Sequence, residues 1–211
     1  LPEHHTPSRH GLVYSENPFS QQANNTMNSP FLVTPQWLAQ HINDENLVVI
    51  DVRMSPVGLT PKKDMLAEFE RGHIPGAVYF DIDEVADKST ALPHMLPTAA
   101  EFAAAAGQLG ISERDTLVIY DEGNQFSAPR GWWTFRNFGA ERVYVLDEGL
   151  NGWIAQGQAL ATGPAQPEPQ TFNARFNADA VVDMRQVEQA LGTPVQILDA
   201  RAAPRRSEEH T

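Results

Sequence analysis

The chain has no cysteine in its 211 residues. That absence removes disulfides, thiolate metal sites and any thiolate nucleophile from the chain itself. It suits the cytoplasm, which is the expected localisation. Positive charge is scarce too: 15 Lys and Arg stand against 27 Asp and Glu, a net charge of -12. So acidic a surface repels phosphate backbones and anionic lipid, so neither nucleic acid nor membrane is expected as a partner. No apolar run is long enough to span a bilayer. Residues 1–26 lack the apolar core of a secretory signal. Without an export signal, Asn24-Asn25-Thr26 reads as a chance match to a glycosylation sequon. Phosphate-loop, dinucleotide-binding, serine-elbow and zinc-protease motifs are also missing.

What is present begins after a leader. Residues 1–29 are polar and aperiodic, and read as a disordered or non-native leader with Met27 a plausible start. His4, His5 and His10 in that leader could bind metal, but a floppy tail is the preferred reading. Order is expected from Pro30. Phe31–Val33 reads as a short strand. Thr34 then caps a helix with Pro35 at its first position and Trp37, Leu38 and Ile42 on its apolar face. Strands are expected at 47–50, 77–80, 117–120 and 143–146, and helices at 98–109, 128–138 and 150–155. β-branched runs alternating with amphipathic helices indicate an α/β domain, a parallel sheet covered on both faces, over residues 30–157.

Residues 158–181 are rich in proline and glutamine and read as a linker. A repeat follows. Asp183–Leu191 and then Val195–Arg201 mirror Thr34–Ile42 and then Leu47–Arg53: cap, amphipathic helix, strand, Asp-x-Arg. Residues 182–205 therefore read as the truncated start of a second copy, and the chain as a fragment of a two-domain protein. Residues 206–211, Arg-Ser-Glu-Glu-His-Thr, match the translation of a common sequencing adapter and are read as such.

Five words carry a resemblance: IDVR at 50–53, GHIPGAVYFDID at 72–83, LPHMLP at 92–97, VIYDEGNQFSAPRGWW at 118–133 and ILDARAAPR at 197–205. In this order, with an internal repeat, they resemble the tandem rhodanese sulfurtransferases from about Phe31 to Arg205. The resemblance implies a rhodanese-like fold and an enzyme whose cysteine thiolate takes sulfur from a small-molecule donor. It implies a persulfide that passes sulfur to a thiol or cyanide acceptor, with no metal or organic cofactor. The active cysteine of such domains opens the loop between a strand and a helix. Asp121 stands there in this chain, so residues 30–157 read as the inactive copy. The chain as written is expected to be inactive.

Within the family, His94 favours the 3-mercaptopyruvate branch over the thiosulfate branch. The resemblance pairs His94 with Asp83 for proton handling; on the residues alone, a surface histidine is the preferred reading. Arg205 matches an arginine that grips the donor carboxylate. Arg130 joins Arg205 as a substrate-binding candidate that could face the interdomain cleft; a salt bridge at a helix start is the equal alternative. Asp51 and Arg53 are expected to tie strand to loop, as are Asp199 and Arg201 in the second copy. Trp132, Trp133 and Phe135 are expected mainly in the core. The alternatives are a thiosulfate sulfurtransferase and a non-catalytic rhodanese-like binding or regulatory module.

Overall fold

The computed structural model describes residues 29–56 and 58–201. Five parallel strands form one sheet in the order β1-β5-β4-β2-β3: β1 Leu32–Val33, β2 Leu47–Asp51, β3 Val78–Tyr79, β4 Thr116–Tyr120 and β5 Arg142–Leu146. Their apolar runs explain the central position of β2 and β4, which are covered from both sides. Along β4 the side chains alternate. Leu117 and Ile119 enter one core with Phe102, Phe135 and Phe138, while Val118 and Tyr120 enter the other with Leu38, Phe69 and Trp153.

The helices divide between the two faces accordingly. Helices α4 (Ala99–Gln108) and α5 (Ala128–Asn137) contribute to the first core. Helices α1 (Pro35–His41), α2 (Met65–Arg71) and α6 (Gly149–Ala155) contribute to the second. Thr34 caps α1 through the Trp37 amide, as its sequence position suggests. Thr98 and Glu101 form a capping box on α4. Helix α2 and the one-turn α3 (Ile82–Val85) were not anticipated from the sequence. Asp64 and Asp81 cap them.

The expected strand at 195–198 is absent: these residues have no regular secondary structure, and Leu198 is 89% exposed. A strand forms only against a neighbour, and none of the described residues offers one here. The second-copy helix does form, as α7 (Met184–Ala190), with an Asp183–Gln186 capping box, but it buries no residue. The proline-rich stretch after 157 lies along the first domain. Ala161 bridges His73, Gln170 bonds to Gly107 and Gly110, and Asn173 to Glu113. Phe172 sits in the first core against Phe102 and Phe135. Residues 161–177 therefore act as a strap on the domain.

Candidate functional site

Strands β2 and β4 end side by side, with Asp51 in register with Tyr120. A buried network grows from that edge. Arg53 donates Nε to both Asp51 oxygens at 3.1 and 2.9 Å, and its own amide bonds Oδ1 at 2.9 Å. The Tyr120 hydroxyl donates to Asp51 at 2.7 Å and accepts from the Ile74 amide. Arg53 also reaches the Gly72 carbonyl at 3.0 Å and approaches Glu122 at 3.6 Å. Burial opposes the charge on Arg53, but Asp51 outweighs it and the guanidinium pKa is raised. Burial, then Asp51, holds Tyr120 far above the ordinary phenol value. These groups are tied to each other, so the network locks strand to loop and leaves no free base.

The loop from β4 to α5 begins at Asp121, which is buried. Its carboxylate accepts from the amides of Gly123 at 2.8 Å and of Ser127 and Ala128 at 3.0 Å each. Ser127 gives α5 no side-chain cap, so Asp121 supplies the acceptor that the helix start requires. The cradle that could hold an anion is thus filled by the chain's own carboxylate.

Asp83 and His94 do come together. His94 Nδ1 lies 2.8 Å from Asp83 Oδ1, as the pairing of these two residues requires. The contact is ionic in distance but is not aligned as a ring N–H hydrogen bond, and Nδ1 is otherwise enclosed. Lys62 Nζ holds the other Asp83 oxygen at 3.1 Å, and Lys88 Nζ bonds the Asp83 carbonyl at 2.8 Å. Neither lysine was anticipated; each lies in a short polar stretch without the periodicity that marks a face. His94 has a left-handed backbone, φ 57°. Its carbonyl accepts from the Arg130 guanidinium, which also lies over Trp133. The salt bridge considered for Arg130 at the helix start is absent among the described residues. Arg205 lies outside the described residues, as do His4, His5 and His10.

Two cavities open on this face. One of about 520 Å³ is walled by Lys62, Tyr79, Asp81, Asp83 and His94. The other, about 440 Å³, is walled by Arg53, Glu68, Asp121, Glu122 and Ser127. They share Met54, Lys63 and Met65, so the Asp83–His94 pair and the aspartate-filled loop open on adjoining space. No cluster with metal-ligand geometry occurs among the described residues. Phe135 is core as expected, and Trp132 anchors its indole N–H on the Val143 carbonyl.

Comparison with known proteins gives consistent results. Residues 34–156 match the rhodanese-like domain. The chain is 43% identical over 184 residues to the 3-mercaptopyruvate sulfurtransferase of Escherichia coli K12, covering 87% of this chain and 65% of that protein. It is 38% identical to the human protein of that name, covering 82% of this chain and 60% of the human one. It is 35% identical to the thiosulfate sulfurtransferase of Gallus gallus, covering 82% and 62%. Among solved structures it resembles SseA from Escherichia coli, a 3-mercaptopyruvate sulfotransferase of rhodanese fold. The TM-score is 0.81 and the identity 43%, over 86% of this chain and 69% of that one. The chain spans less than two thirds of the length of these curated relatives.

Proposed function

This chain belongs to the rhodanese family, and from that premise we propose that it is the cysteine-free first repeat of a 3-mercaptopyruvate sulfurtransferase. The observation that carries this reading is the Asp83–His94 contact on the wall of a cavity beside the aspartate-filled loop.

The chemistry asks for such a pair. A cysteine thiolate, supplied from outside these 211 residues, attacks the donor sulfur. The carbon–sulfur bond breaks, the sulfur stays on the enzyme as a persulfide, and the departing carbon is the enolate of pyruvate. The donor thiol gives up a proton and the enolate carbon takes one, so the two steps balance. An imidazole beside a carboxylate can accept the first and return the second near neutral pH. Arg205 would hold the donor carboxylate, because a guanidinium fork meets it bidentately. A thiol or cyanide then removes the sulfur. The proposed setting is the cytoplasm, where thiol acceptors are kept reduced. The balance of charge, -12, supports a role without nucleic acid.

Thiosulfate is the second reading, favoured by the 35% identity to the chicken thiosulfate sulfurtransferase. Thiosulfate releases sulfite without a thiol proton, so it has no need of His94. In the protein completed with its second repeat, His94→Gln should therefore slow mercaptopyruvate turnover by roughly 10²–10⁴ and leave thiosulfate turnover nearly unchanged. Equal loss with both donors, or no loss, would sink the mercaptopyruvate reading. The 211-residue chain alone should carry no cyanide-labile sulfur after incubation with either donor. A positive signal would require a different chemistry.

A further inference from the structure

Arg130 is a partly buried cation whose polar partner is a backbone carbonyl, with no carboxylate paired to it among the described residues. Burial pulls its pKa down, and no nearby acid restores it. A charge held there at a cost calls for a reason beyond fold stability. The reason lies in what it touches. The carbonyl belongs to His94, a non-glycine residue in the left-handed region, φ 57°. That region is uncommon for a side chain with a Cβ and persists where surrounding contacts impose it.

The position of Arg130 is itself fixed from below. A Cβ on Gly131 would come within 3.1 Å of both Ile119 and Val52, so the missing side chain lets α5 lie close on β2 and β4. Thr134 closes the first turn by donating to the Arg130 carbonyl at 2.8 Å. The guanidinium lies over the Trp133 ring, 5.0 Å from its centroid, while it donates to the His94 carbonyl. It therefore arrives at the His94 carbonyl from a rigid helix start that also ends the Asp121 loop.

We propose that Arg130 is a positioning residue: by holding the His94 carbonyl it fixes the left-handed backbone that turns the imidazole towards Asp83. The role extends to catalysis only if the sulfurtransferase reading holds, but the conformational part stands independently. It differs from direct grip on a donor carboxylate, which would leave the His94 backbone indifferent to Arg130.

The test uses the 211-residue chain in solution. A positive φ brings the amide and α protons of one residue close, giving a strong intraresidue NMR contact. That contact should be strong at His94 in the unaltered chain, lost in Arg130→Met, and retained in Arg130→Lys, which keeps a donor. Asp83→Asn should perturb the His94 ring resonances in the unaltered chain. The same change in the Arg130→Met background should leave them almost unmoved, because the ring has already turned away. Arg130→Gln, which keeps an N–H of shorter reach, serves if the methionine variant fails to fold. Retention of the His94 contact and of the full Asp83 response in folded Arg130→Met or Arg130→Gln would overturn the proposal. In the completed enzyme, Arg130→Met should lower kcat for mercaptopyruvate more than it raises KM. A pure rise in KM with the His94 NMR contact retained assigns Arg130 to carboxylate binding and overturns the positioning role. Loss of the NMR signature with no change in kcat instead refutes the His94 reading of function and leaves the positioning intact.

Discussion

Asp51-Val52-Arg53 and Asp199-Ala200-Arg201 make the same hook. In both, the arginine amide bonds the aspartate Oδ1, at 2.9 and 3.0 Å. In both, Nε straddles the carboxylate, at 2.9–3.1 Å in one and 3.0–3.2 Å in the other. Their surroundings differ. The side chains are 5% and 0% exposed for Arg53 and Asp51, but 41% and 30% for Arg201 and Asp199. The first hook ends a strand paired on both sides and takes in Tyr120 and Gly72. The second follows a segment without regular structure that pairs with no strand among the described residues. The tripeptide therefore encodes its own geometry over two residues. Rigidity comes from the sheet, which the tripeptide does not encode.

The largest expected contrast is in amide exchange. Leu117–Tyr120 should exchange only with global unfolding, and Val195–Leu198 almost at the intrinsic rate, a ratio of about 10³ or more for a domain of ordinary stability. Similar protection in both segments would erase the contrast and show that residues 195–198 are covered.

The two hooks can then be compared directly. Asp51→Ala leaves a buried Arg53 and the Tyr120 hydroxyl without their partner, and should cost about 3–5 kcal/mol in urea unfolding. Asp199→Ala should cost about 0–1 kcal/mol, as a partly exposed pair does. Equal costs would mean the second hook is also locked into a core.

The strap sharpens the boundary between the two regions. Phe172→Ala removes a ring from the first core and should cost about 3 kcal/mol or more, whereas Val195→Ala should change stability little. If Phe172→Ala is harmless, the strap is a tether resting on the domain and the domain ends sooner.

The smallest effect is in pH. The Asn173 amide, chiefly, holds the Glu113 carboxyl below its ordinary value. A depressed folded value gives stability that is present above the unfolded value and lost as pH falls through the folded one. The Tm advantage of the wild type over Glu113→Gln should therefore be full above about pH 5 and fade as pH falls below the ordinary glutamate range. A gap that stays constant across that range would remove the charge from the strap's attachment.

The residues show why some of this was legible in sequence and some was not. The runs at 47–50, 117–120 and 143–146 are continuous and β-branched, and each forms a strand because burial on both faces asks for little else. Thr34-Pro35 and Thr98 announce their helices by local capping. Asp83 and His94 could be paired only through the resemblance, since a contact between a one-turn helix and a loop has no period. Helix α2 escaped because only Met65 and Phe69 of its seven residues are buried, behind a run broken by Pro56, Gly58 and Pro61. Phe172 is a lone ring among prolines and glutamines, and nothing local shows that it completes a core with Phe102. The strand at 195–198 failed for the opposite reason: its pattern is sound, but pattern cannot supply a partner.

The carboxylate of Asp121 has a consequence for any dissolved anion that reaches the loop. It is a ligand bound to its own receptor by two covalent bonds' worth of leash, so its local concentration far exceeds the millimolar level of a flexible tether. Sulfate, sulfite or a free persulfide would have to displace it and also overcome its charge. The loop consequently keeps its shape whether or not a dissolved anion is present.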